Sequence, residues 1–360
     1  MAFSSPVKHP GEILLSELTS RGMKQKELAI RTGLSEKYIS TIINGNKVLS
    51  ASFAHKLDIA LGAKPGTWAK YQADYDDYTA YESEKNNISE EESIILKSLK
   101  DIVSYFIEAG IMHNHCGDTE KILQLRNILC VHSLTVIPQI TYNAAYRAQI
   151  SNSTNIDPYV LFAWQRMCEL LSAKIEVTSP FDTRKLSNSI PDIKREMFTL
   201  DPQKMISNLK HIFSECGIAF CFVKHFRGAP VQGFIKQTET GKIILCVTIR
   251  GKKADIFWFS LFHEIGHLLN GDLNTRFVDF DSVKTEMEEK ADNFARDALI
   301  NPSLYKKLID TGNYHNLVDI KKFSALIDVP YWIVIGRLHN DEWLDWSCFP
   351  YEAPSFEWEK

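Results

Sequence analysis

The sequence contains no run of about 18 uncharged apolar residues, so no membrane span is expected. Its opening stretch, MAFSSPVKHPGEILLSEL, has no apolar core and no small-residue cleavage site, and no secretory signal is expected. Cysteine is sparse: there are 7, an odd number, and none forms a CxxC pair. That argues against a disulfide framework and for a reducing, cytoplasmic setting. No internal repeat and no low-complexity tract occurs. Wholesale disorder, collagen and coiled coil are excluded by a chain that is 44% hydrophobic, 11% aromatic and 24% charged. At 360 residues it is long enough for two or three domains, each burying its own core.

The net charge of −4 conceals an asymmetry. Residues 1–75 carry 10 Lys and Arg against 6 Asp and Glu, whereas the rest carries 31 against 39. A basic head on an acidic body suggests that the head alone meets a polyanion. Residues 77–92 are acidic and polar and read as a linker. Residues 93–199 read as a helical middle region of unassigned role, with Ile94, Ile95, Leu99, Ile102, Val103 and Phe106 at helical spacing. Between 218 and 250, three aromatic and β-branched runs are separated by Gly228-Ala229-Pro230 and Glu239-Thr240-Gly241. They read as a three-stranded antiparallel sheet. Helices are expected again at 255–271, 284–300, 316–327 and 331–339. The fold class is therefore mainly α with a small antiparallel β-sheet, an α+β arrangement.

Residues 25–45 carry the signature of two helices crossing over a short turn. Ala29 is small where the helices meet. Gly33 suits the left-handed residue that ends the first helix, and Ser35 suits the N-cap of the second. Ile39, Ile42 and Ile43 form a core stripe on that second helix. Its other face carries Glu36, Lys37, Ser40, Thr41 and Asn44, residue types that contact base edges and phosphates in a major groove. Gln25, at the start of the first helix, is placed for a phosphate, and Lys47 follows the second helix as a further phosphate contact. The candidate DNA-binding residues are thus Gln25, Ser35, Glu36, Lys37, Ser40, Thr41, Asn44 and Lys47.

With its flanks, His9-Pro10-Gly11-Glu12-Ile13-Leu14 before and Trp68-Ala69-Lys70-Tyr71-Gln72 after, this head resembles the HigA-type antitoxins of the Cro/phage-repressor helix-turn-helix group over about residues 8–76. The resemblance implies a helix-turn-helix domain at 1–76. It also implies sequence-specific binding of double-stranded DNA at a palindromic operator, usually as a homodimer.

In the body, His263-Glu264-Ile265-Gly266-His267 is an HExxH sequence inside an apolar run. On a helix, His263 and His267 share one face and can ligate a single Zn²⁺, with Glu264 beside them as general base. A third ligand is offered by residues 286–295. Glu288 is preferred because Asp292 then lies one turn on along the same face and can accept the outer N–H of a ligand histidine. Glu286 and Glu289 are the rivals. His315, His339, Tyr305 and Arg337 are candidate electrophiles for the oxyanion, and the spacing selects none of them.

The ExxxD helix after HExxH resembles the gluzincin pattern. Residues 200–346 more closely resemble the ImmA/IrrE family of zinc metallopeptidases, through the preceding sheet, the two motif helices, Asn301-Pro302 and the stretch from Ile320 to Leu338. The resemblance implies a zinc endopeptidase that cleaves helix-turn-helix repressors. Family members often carry Glu next to the Ala of the second helix, where this chain has Lys290. Residues 347–360 read as a C-terminal tail; Trp358 within it, and Trp343 and Trp346 just before it, are expected to pack against the body.

The joint expectation is a DNA-binding regulator whose zinc endopeptidase removes a repressor, or the chain itself, on a signal. The alternative is a non-enzymatic HigA-like antitoxin or transcriptional repressor whose body binds a toxin or ligand. His113-Asn114-His115-Cys116 reads as a polar loop, since no distal pair completes a metal site. Cys221 and Cys246 read as core.

Overall fold

His9 starts the first helix by accepting from the Gly11 amide at its Nδ1 (2.9 Å), with Pro10 at the first helical position. Helices α1 (Pro10–Ser20), α2 (Gln25–Thr32), α3 (Glu36–Ile43), α4 (Ala51–Ala60) and α5 (Thr67–Asn86) follow in order. The computed structural model describes residues 6–114, 117–140, 156–177, 179–229, 231–248, 253–272, 277–280, 286–350 and 352–356. Pro230, His115, Cys116 and Trp358 lie outside them. Gly33 ends α2 at φ 67°, and the Ser35 hydroxyl accepts from the Tyr38 amide (3.2 Å) to open α3. Leu14, Leu18, Leu28, Ile39, Ile42, Phe53, Leu57 and Trp68 form one buried core among the five helices. Gly11 is needed there: a Cβ at that position would sit 2.1 Å from the Ile42 carbonyl oxygen, so only glycine lets α1 press on the end of α3. The buried Asp58 accepts from the Gly66 and Trp68 amides (2.8 and 3.2 Å), capping α5 from another helix.

The chain divides into two compact units, residues 1–96 with 114–127, and residues 97–113 with 128–360. The acidic segment expected as a linker is largely helical. It is covered by the end of α5 and by α6 (Glu90–Ser98). Glu92 is buried and accepts two bonds from the Arg126 guanidinium (2.9 and 2.6 Å), which also pairs with Glu84 (2.6 Å). Acidic composition here serves a buried ion pair, whose charges are matched by direct hydrogen bonds.

In the second unit, α7 (Lys100–Glu108) precedes α8 (Asp118–Leu129), which belongs mostly to the first unit. Then come α9 (Pro158–Ala173), α10 (Thr183–Arg195), α11 (Pro202–Glu215), β1 (Ile218–Val223), β2 (Val231–Gln237), β3 (Ile243–Thr248), α12 (Ala254–Asn270), β4 (Phe277–Phe280) and α13 (Glu286–Leu299). The unit closes with α14 (Pro302–Thr311), α15 (Leu317–Leu326) and α16 (Tyr331–Asn340). The small sheet differs from the expected antiparallel three-stranded one. It has four strands in the order β1-β3-β2-β4, with β1 and β3 parallel and the other two pairings antiparallel.

Two features explain the difference. Among the described residues, the 238–242 turn is the one hairpin between neighbouring strands, closed by Thr238 N–H to the Lys242 carbonyl (2.8 Å) with Gly241 at φ 81°. The segment after β1 instead makes its own Phe226–Ala229 bridge and carries the chain past the lane that β3 fills. β3 is buried at every residue, which suits a central strand covered on both faces.

Each face has its cover. Ile218, Phe220, Ile235, Ile243, Leu245 and Val247 join Phe257, Trp258, Leu261, Phe262 and Ile265 of α12 in one core. On the other face, Trp164 of α9 meets Phe234 edge-on at 6.0 Å, and Tyr105 of α7 meets Phe226 at 5.8 Å. The middle region therefore supplies a layer of the second unit. The cysteines Cys168, Cys216, Cys221 and Cys246 are free and buried.

The tail holds the start of α12. Lys253, its N-cap, offers no side-chain cap, and the Pro354 carbonyl accepts from the Ala254 amide (2.9 Å) instead. Phe356 is buried edge-on to Phe257 at 5.6 Å. Trp343 and Trp346 each rest against one ring of the body, Tyr314 and His339 respectively, yet stay 46% and 60% exposed. No helix among the described residues is long and apolar enough to cross a membrane.

Candidate metal centre

Helices α12 and α13 approach closely because the residues at their crossing are small. A Cβ on Gly266 would lie 3.1 Å from Cα of Ala291 and 3.3 Å from its carbonyl oxygen. The histidines flank Gly266 on α12. On α13, Glu288 precedes Ala291 by three residues and Asp292 follows it directly. The close crossing therefore brings these side chains face to face.

Nε2 of His263 and Nε2 of His267 lie 3.0 Å apart. Oε2 of Glu288 lies 3.1 Å from the first and 3.6 Å from the second. A tetrahedral ion bound at ~2.0–2.1 Å from each donor requires donors roughly 3.3 Å apart, which these spacings bracket. The donor set, two imidazoles and one carboxylate, is one that zinc accepts, and these residues can hold a metal ion. Both outer nitrogens are held as well. Nδ1 of His263 donates to Asp292 (2.8 Å), and Nδ1 of His267 donates to Asp272 (3.0 Å). This leaves both Nε2 lone pairs turned to the shared centre.

The electrostatics favour a cation at that centre. Burial raises the Glu288 carboxyl, but the hydrogen bonds and positive character of His263 and His267 outweigh it and bring it down to about 2. Burial lowers His267, while Glu288, Glu264 and Asp272 together raise it above its ordinary value.

Glu264 is fully buried and its carboxylate reaches β2. A Cβ on Gly233 would fall 1.7 Å from its Oε1, so β2 has no side chain at this point because the carboxylate fills the space. Of the rival third ligands, Glu286 pairs with Lys290 (2.7 Å) in solvent and Glu289 is exposed. The candidate electrophiles have other engagements. Arg337 donates to the Arg296 and Ile300 carbonyls (2.6 and 3.1 Å) at the end of α13 and lies 4.0 Å over the Tyr305 ring. Nε2 of His339 donates to the Cys348 carbonyl (2.8 Å), and His315 packs on Tyr314 at 4.4 Å.

Asp272, Gly233 and Gly266 were not singled out by sequence reading. Each left a signal: Asp272 directly follows the left-handed Gly271 that ends α12 (φ 82°), and a lone glycine within a strand or helix marks close approach.

In the first unit, Glu36, Lys37 and Asn44 are exposed on α3, with Ser40 and Thr41 half-buried at its margin. Asn44 donates to Ser40 (3.3 Å) and Thr41 to the Tyr38 carbonyl (2.7 Å). Ser35 is engaged as the cap, and Lys47 lies 5.2 Å over the Tyr38 ring. Gln25 opens α2, whose N-cap, Lys24, makes no side-chain cap bond.

No protein-family model and no curated protein matches the chain. Among solved structures, it is similar to a protein from Nostoc punctiforme PCC 73102 described as an antidote protein of a plasmid maintenance system. The two are 29% identical with a TM-score of 0.22, over 23% of this chain and 90% of that one.

Proposed function

We propose that the chain is a DNA-binding regulator whose second unit is a zinc-dependent endopeptidase acting on a repressor protein or on the chain itself. The observation that carries the catalytic half is the donor trio of His263, His267 and Glu288, backed by Asp292 and Asp272, with the buried Glu264 alongside. Zinc held there supplies Lewis acidity toward a peptide carbonyl and acidifies a water. Glu264 takes the water proton on a carboxylate oxygen and returns it to the leaving amine nitrogen. Its burial against Gly233 keeps it in place, since the carboxylate is hemmed in by backbone. Asp292 and Asp272 fix the tautomers and ring planes of the histidines.

The regulatory half is supported by α3. Its exposed polar face, with Glu36, Lys37 and Asn44 outermost, is available to base edges, while Ile39, Ile42 and Ile43 anchor the helix beneath. The amides at the start of α2, beside Gln25, are without a side-chain cap and suit a phosphate. A dimer on a palindromic operator is part of the same proposal.

Glu264→Gln tests the catalytic half. The amide preserves size but cannot accept a proton at neutral pH. Cleavage of a co-expressed repressor should fall by about 10²–10⁴-fold while zinc content and promoter binding persist. Intact repressor with both proteins, together with an unchanged promoter-reporter output, would return the chain to a non-enzymatic regulator or antitoxin.

A further inference from the structure

Cys221 of β1 and Cys246 of β3 are partners in the parallel register, so their side chains stand side by side on one face of the sheet. Their neighbours along the strands, Phe220 and Leu245, join the core under α12, and alternation turns both thiols to the other face. Phe234 of β2 is the antiparallel partner of Cys246 and shares that face, where Trp164 of α9 meets it edge-on. Cys168 follows Trp164 by one helical turn and comes down on the same row. Its thiol and that of Cys221 each hydrogen-bond with the Cys246 thiol. All three cysteines are buried and free. Cys216 and Cys130 are engaged differently, the first sharing a hydrogen bond with Ser189 (3.5 Å) and the second accepting from Arg166 (3.5 Å).

We propose that this row is a binding site for a soft monovalent cation, Cu(I), held two-coordinate by Cys221 and Cys246 with Cys168 facing it from α9. The site lies on the sheet face away from α12 and does not rest on the peptidase reading. Neighbouring strands run about 4.7–4.9 Å apart. Two opposed metal–sulfur bonds of about 2.3 Å, the length zinc thiolates take, span nearly that distance. An ion therefore fits between the paired cysteines with the backbone where it is. Donor chemistry selects the ion. Calcium and magnesium require oxygen ligands, whereas thiolates favour soft metals. A structural zinc needs four donors in a tetrahedron, and the compact trio of donors among the described residues is His263, His267 and Glu288.

The free site carries no charge. Burial pushes the Cys168 and Cys246 thiols up, and the Cys246 thiol together with burial pushes Cys221 up. On binding, Cys221 and Cys246 each release a proton to solvent and form an Sγ–Cu bond, with no change of oxidation state. The resulting single negative charge is offset by Lys210 and Lys242, whose charges reach Cys221.

The test uses the full chain carrying Cys116→Ser, Cys130→Ser, Cys216→Ser and Cys348→Ser, kept reduced and free of oxygen and first supplied with zinc. Cu(I) is titrated in against bathocuproine disulfonate, a chromophoric Cu(I) chelator. About one Cu(I) per chain should bind, with zinc content unchanged. Adding Cys221→Ser or Cys246→Ser should weaken binding at least about a hundredfold, since a two-coordinate site does not survive the loss of a donor. Adding Cys168→Ser should cost at most about tenfold, because that thiol faces the ion without bonding it. X-ray absorption at the copper edge should show two sulfur donors.

Equal Cu(I) binding with and without Cys246→Ser, or copper that enters only by displacing zinc, would overturn the site. A loss on Cys168→Ser as severe as on Cys221→Ser would overturn the strand pair as the binding unit. If the serine variants unfold, seen by circular dichroism, the absorption spectrum of the protein with all three thiols decides. A two-sulfur shell supports the site, and a shell of nitrogen or oxygen overturns it.

Discussion

Helices α3 and α12 each carry a candidate functional sequence and present it in opposite ways. On α3 the candidate contact residues Glu36, Lys37 and Asn44 face solvent, and only the isoleucine stripe is buried. On α12 the candidate residues are themselves the buried ones, with Glu264 at 0%, His267 at 1% and His263 at 6% exposure. The contrast follows from the chemistry proposed for each. A duplex brings its own partners to a rigid, solvated face, so the protein need only hold the helix still with caps and a core. A metal centre must orient lone pairs and keep a carboxylate in a fixed place, which takes neighbours from other elements. The same difference predicts that damage to one unit should leave the other's ligand binding intact.

Removing a donor should give the largest effect. Wild type is expected to bind about one zinc per chain, and His267→Ala to bind almost none, since a tetrahedral site does not survive the loss of one of three protein ligands. Elemental analysis beside an operator-binding assay on the same full-length samples checks this. Equal zinc in both proteins would refute the centre, and lost DNA binding would break the contrast between the units.

A smaller effect is expected one layer out. Asp272→Ala should weaken zinc affinity by about 10–100-fold, measured by competition with a chromophoric chelator. Asp292→Ala should cost less, because the Asp292 side chain is 53% exposed whereas Asp272 is 16% exposed, and water takes over its role more readily. The reverse ranking would show that shielding does not set the contribution of these carboxylates.

Acid should act on the second unit through Glu288. Its pKa is depressed to about 2 by its histidine partners, net of burial, so the stability it contributes to the zinc-free protein is present above its ordinary value of 4.5 and lost as pH falls from there toward about 2. That amounts to at most about 3 kcal/mol. Urea unfolding of zinc-free protein between about pH 6 and 2 should show a steep acid limb in wild type and a flatter one in Glu288→Gln.

In the first unit, Gly11→Ala should destabilise by about 1–3 kcal/mol, as overpacking against the Ile42 carbonyl displaces α1 or α3. Operator affinity should fall with zinc content unchanged. Unaltered DNA binding would mean that the seating of α1 on α3 does not matter to the recognition face.

Local chemistry accounts for much of what is legible in the sequence. The cap at Ser35, the left-handed Gly33, the core stripe of α3 and the i, i+4 face shared by His263 and His267 all depend on residues within one or two helical turns. Such interactions are short in range, so the sequence by itself determined them, together with the mainly helical fold class. The preference for Glu288 was legible for the same reason, since its spacing to Asp292 is one turn of helix.

Only the tertiary structure decided the rest. The strand order, with β3 inserted beside β1, depends on which strand is covered on both faces, a property of packing that no local pattern contains. The acidic stretch ceases to be a free linker because Arg126, distant in sequence, compensates the burial of Glu92. Asp272 finds His267 only because α12 ends in a left-handed glycine that turns the chain back. Gly233 matters only because β2 lies against Glu264. In each case the deciding contact joins elements that are far apart in the chain or pairs side chains across a turn, and its energy depends on a three-dimensional fit that sequence spacing does not encode.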